Sequence, residues 1–133
     1  IDYFGSIELT FGFCSTELAK LIPGRIAPEL DQHAAYELDQ NNKIICPRLG
    51  AAVDFIVEDE DMMEVAKWID ENLIFDRMYF YGQKRPLHIS IGPEMLQQVT
   101  LMLPDKKGYR VIPRTLKKGE FKEIDGNKIV PLT

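Results

Sequence analysis

The stretch "CPRLGAAVDF", residues 46–55, decides how the chain is read. Residues 51–57, "AAVDFIV", are apolar except for Asp54, the pattern of a buried strand. A carboxylate in such a strand is costly unless it is paired or ligates a metal. Gly50, Ala52 and Asp54 recur at every second position, a spacing that suggests half of a metal site. A second polar group interrupts another apolar strand pattern, "LHISIG" at 87–92. There His88 and Ser90 lie two apart and so share a face.

Between these two strands lies the strongest helical pattern of the chain, "DEDMMEVAKWIDENL" at 59–73. Acids crowd its start, where the helix dipole favours negative charge. Met62, Val65, Ala66, Ile69 and Leu73 form one apolar stripe. "RMYFYG" (77–82) reads as an aromatic strand, with core and cross-strand packing as its ordinary role. "QQVTLMLP" (97–104) and "YRVIPRTL" (109–116) read as strands joined by the turn "DKKG". "FKEIDGNKIVPL" (121–132) reads as a hairpin with Asp125-Gly126 at its tip, part of a C-terminal extension over about 117–133. Pro113 and Pro131 indicate edge strands.

Upstream, "FCSTELAKLI" (13–22) and "APELDQHAAYEL" (27–38) predict two helices, the first capped by Ser15 or Thr16. "PGR" separates them and "DQNNK" (39–43) turns the chain afterwards. The expectation is an α+β fold. N-terminal helices and one central helix pack on a mostly antiparallel sheet, in a single domain spanning 1–133.

Composition narrows the function class. The chain has 133 residues, 45% hydrophobic and 28% charged, and a net charge of −5. That balance argues against nucleic-acid binding. No apolar run approaches the roughly 20 residues that span a bilayer. The start, "IDYFGSIEL", lacks the basic and apolar regions of an export signal and has no Met. A cytoplasmic or phage-associated setting is expected, with the chain as a piece of something longer. Cys14 and Cys46 are too few for a disulfide framework.

Taken in order, Gly50-x-Ala52-x-Asp54, an acid-rich helix with "VAKWI", "FDRMYFYG" and "LHIS" resemble the zinc D-Ala-D-Ala carboxypeptidase family and its Hedgehog-type relatives. Those chains carry Ser-x-His-x-x-Gly-x-Ala-x-Asp, then a helix, a Phe-Asp-Gln-Leu-Ile-x-Glu strand and Trp-x-His-Val-Ser. The resemblance covers residues 46 to 91. It implies a peptidase-like fold in which Asp54 and His88 are zinc ligands. A hydrolytic zinc takes three protein ligands and an open water position. The family's first His falls at Pro47, which cannot ligate, and its general-base Glu falls at or near Tyr81, with Arg85 at the other candidate position. Cys46, beside the lost position, is the first candidate to replace the missing ligand. His33 and Cys14 are the other residues of suitable chemistry.

Three readings follow. In the first, the domain lacks the standard zinc triad and binds a small anionic or peptidic ligand, or a partner protein. Arg48, Tyr81, Arg85 and Ser90 then contact the ligand. In the second it is a zinc-dependent peptidase or amidohydrolase using Asp54, His88 and Cys46 or another third ligand. In the third it is a structural or accessory component of a phage or multidomain assembly.

Overall fold

The computed structural model describes residues 5–12, 30, 32–34 and 38–128. Six strands form one sheet: β1 (Ile7–Phe11), β2 (Ala51–Val57), β3 (Arg77–Phe80), β4 (Leu87–Ile91), β5 (Gln98–Pro104) and β6 (Val111–Thr115). Their order is β1-β2-β4-β3-β5-β6. Four neighbouring pairs are antiparallel, while β3 and β5 run parallel. Among the described residues the only α-helix is α1 (Met62–Asn72), accompanied by 3-10 turns at Gln32–Ala34, Phe121–Glu123 and Gly126–Lys128.

The expected architecture of N-terminal helices on a mostly antiparallel sheet is therefore corrected. The sheet is mixed, and its first strand, β1, was not expected. "IELTF" alternates apolar and polar residues, the signal that marks it. The helix expected at 13–22 lies outside the described residues, as does most of the one expected at 27–38. Where the latter is described, Gln32–Ala34 makes a 3-10 turn. Gln32 and His33 there bond to residues 17 or more positions away. Tertiary bonds of this kind override a local helical pattern.

The expected C-terminal hairpin is corrected too, since its described part is two 3-10 turns. A two-residue Asp-Gly hairpin of the favoured type needs positive φ at both residues. Neither Asp125 nor Gly126 has it. The Asp125 carboxylate instead accepts from the Asn127 N–H (2.9 Å), and Phe121 buries itself against Phe80, ring centroids 6.1 Å apart. Phe121 is thereby part of the core, with Ile124 packed against it.

Helix α1 forms as its pattern dictates. Asp61 caps it, accepting from the Met63 N–H at 2.8 Å. Met62, Met63, Val65, Ala66 and Ile69 are buried, and Leu73 leaves the helix in extended conformation. They meet one face of the sheet: Phe55 and Val57 of β2, Met78 and Phe80 of β3, Leu87 of β4, Val99 and Leu101 of β5. Each such side chain removed from water contributes about 1.5–3 kcal/mol. Alternate positions on the same strands point to the opposite face. There the register sets Asp54 beside His88 and His88 beside Tyr79, with Ala52 beside Ser90. No described helix is long and apolar enough to cross a membrane.

Gly50 fixes this register. It enters β2 at φ +87°, and a Cβ there would stand 1.8 Å from the Ile91 carbonyl oxygen. Only glycine lets β2 lie this close to the end of β4.

Candidate metal centre

Asp54 and His88 meet because β2 and β4 pair antiparallel with these two residues opposite each other. His88 Nδ1 lies 2.9 Å from Asp54 Oδ1. The third member comes from elsewhere. His33, in the 3-10 turn, places Nε2 3.1 Å from the same oxygen. The two imidazoles are edge to face, centroids 4.9 Å apart. One donor atom from each of His33, Asp54 and His88 lies within 4.8 Å of the others, so this buried cluster could hold a metal ion. Tyr79 backs the site, its ring 4.8 Å from that of His88.

The hydrogen bonds bear on which ligand fits. His33 Nδ1 is 3.1 Å from the Ala52 carbonyl oxygen. A carbonyl only accepts, so Nδ1 carries the proton. In a neutral ring Nε2 is then bare and faces a carboxylate oxygen, which is repulsive unless a cation lies between them. A second proton supplies that cation, and so does a metal. A metal-bound histidine ordinarily donates its other ring N–H to a carbonyl or carboxylate, as His33 does. Ligands about 2.0–2.1 Å from a tetrahedral ion sit about 3.3 Å apart, close to the 3.1 and 2.9 Å that separate Asp54 Oδ1 from the two ring nitrogens. Two imidazoles and one carboxylate suit zinc and other first-row metals.

Asp54 is held in its ionised form. Burial disfavours ionised Asp54. The hydrogen bonds and charge of His33 and His88 outweigh that, and hold its carboxyl well below the usual carboxylate range. The site is also nearly closed: side-chain exposure is 2% for His33, 8% for His88 and 19% for Asp54.

Of the residues singled out in the sequence, Asp54 and His88 are brought together and Cys46 is not among the converging donors. Cys46 is fully buried, ahead of β2. Leu49 and Gly50, both at positive φ, turn the chain between Cys46 and the strand. Arg48 is half-buried and donates to Tyr79 Oη (3.0 Å) and to the Leu30 carbonyl (3.2 Å). Ser90 is buried, its Oγ accepting from the Arg77 N–H (3.1 Å) and donating to the Arg77 carbonyl (3.3 Å). It ties β4 to β3. Tyr81 is half-buried just past β3. Arg85 is exposed and lines a cleft of about 1050 Å³ with Glu8, Ile56, Glu58 and Lys84, apart from the cluster. His33 carried one sequence signal: it and His88 are the chain's only histidines.

Comparison with models of known protein families, with curated proteins and with solved structures finds no match to this chain.

Proposed function

We propose that the chain is a zinc-binding domain of the D-Ala-D-Ala carboxypeptidase-like type, in which His33, Asp54 and His88 hold the ion and a small anionic or peptidic ligand is bound without hydrolysis. The observation that supports this reading is the convergence of both imidazoles on Asp54 Oδ1, with His33 oriented by the Ala52 carbonyl. Zinc held there would offer a remaining position to a carboxylate or polarise a ligand oxygen. Hydrolysis is disfavoured because Tyr81 and Arg85 occupy the positions where the resemblance puts a general-base glutamate.

A second reading, an amide hydrolase, draws support from Tyr79 and Arg48. Tyr79 stands against His88, and Arg48 donates to its hydroxyl, an arrangement able to steady developing negative charge. Metal analysis of protein purified without chelators tests the shared premise. One zinc per chain is expected, and its absence overturns both readings. Incubation with blocked peptides then separates them. No cleavage is expected, whereas turnover abolished by Asp54→Asn establishes the hydrolase.

A further inference from the structure

The part of the cluster that most needs explaining is His33. Its turn is three residues long, too short to hold itself. Its neighbour Gln32 is 2% exposed and uses both amide hydrogens: Nε2 donates to the Leu49 carbonyl at 2.9 Å and to Asp76 Oδ2 at 2.8 Å. Asp76 is 1% exposed and is itself held from all sides. Its Oδ2 also accepts from Arg77 Nη1 (3.0 Å), and its Oδ1 accepts from the Leu96 N–H (3.1 Å). Its backbone bonds to the Ser90 carbonyl and the Gln98 N–H. Gly92 leaves room for the contact, since a Cβ there would lie 2.9 Å from Asp76 Oδ2 and 3.2 Å from Gln32 Nε2.

We infer that Gln32 and Asp76 are the positioning pair for His33, a buried clamp outside the cluster that sets where its Nε2 meets Asp54 and thereby sets metal affinity. This rests on the metal-binding reading above. Asp76 serves as the fixed end because strands β3, β4 and β5 all converge on it. Gln32 carries that rigidity to the next residue. Gln32 and Asp76 hold the turn itself, while the Ala52 carbonyl, Asp54 Oδ1 and the His88 ring meet the His33 imidazole that the turn presents. A ligand's supporting partners typically govern affinity by about 10–100-fold.

The test is a Co2+ titration of the full chain followed by visible absorption, with thermal melting of the metal-free protein alongside. The wild-type chain is expected to give a four-coordinate cobalt band. Gln32→Ala is expected to bind cobalt about 10–100-fold more weakly, with a weakened and shifted band as His33 leaves the ion. Gly92→Ala, which wedges the clamp apart from outside, is expected to act in the same direction, and it carries the test should Gln32→Ala fail to fold. Wild-type affinity and band shape in the variants overturn the inference. So does weaker binding with an unchanged band and a matching fall in metal-free melting temperature, the signature of general destabilisation. A wild-type chain with no cobalt band overturns the metal reading itself, and this inference with it.

Discussion

At the scale of single residues, the site depends on two imidazoles sharing one carboxylate oxygen. On the metal-binding reading each histidine is thus a separate requirement, and Cys46 is not. His33→Ala and His88→Ala are each expected to abolish stoichiometric zinc. Cys46→Ser is expected to keep it while losing some stability, because it places a hydroxyl in a fully buried site. Zinc content of the three purified variants checks this, and loss of metal in Cys46→Ser alone would return the cysteine to the site. Gly50 makes a different demand. Alanine there must hold a left-handed backbone, which costs about 1–2 kcal/mol, and must also push the Ile91 carbonyl away. Gly50→Ala is expected to cost more than about 2 kcal/mol in denaturant unfolding and to weaken metal binding, since Asp54 moves with β2.

At the scale of elements, legibility followed how local the determinants are. Helix α1 and strands β2 and β4 were readable because cap, stripe and alternation all lie within one short stretch. Asp61 illustrates this: its side chain accepts from Met63 two residues on. Asp61→Ala is expected to lose about 1 kcal/mol of stability, measured by chemical denaturation. Replacement by Ser, another good cap, should recover most of it. The C-terminal segment misled for the opposite reason. Asp125-Gly126 is a hairpin signal on paper, yet its conformation is set by burial of Phe121 and by Gln83 Nε2 donating to the Gly126 carbonyl (2.7 Å). Ser90 and Arg48 read as candidate ligand contacts because exposure of a polar side chain is not written in the sequence. Both are occupied by contacts to distant backbone.

At the scale of the whole molecule, the site is a product of topology that local pattern does not carry. Asp54 and His88 were paired in the sequence by the family resemblance, and the antiparallel register of β2 and β4 sets them side by side. His33 could not be placed, since it reaches Asp54 across 21 residues from a turn with no regular periodicity. The parallel pairing of β3 and β5 is equally silent in sequence, as either strand direction buries Val99 and Leu101. On the metal-binding reading, the same long-range construction makes binding a whole-fold property. An ion held by His33, Asp54 and His88 would be gripped by the turn at 32–34, β2 and β4 together, a set of groups that the unfolded chain does not assemble. Metal at a hundredfold excess over its dissociation constant would then stabilise the fold by about 2.7 kcal/mol. Unfolding entropy of ~2.1 cal/mol/K per residue gives about 0.28 kcal/mol/K for 133 residues. Removing the metal with a chelator is then expected to lower the melting temperature by about 10 °C, reversed by added zinc. Asp54→Asn should melt at one temperature with and without zinc. A wild-type chain whose melting is equally indifferent to chelator and zinc would show that the three side chains hold one another through protons alone.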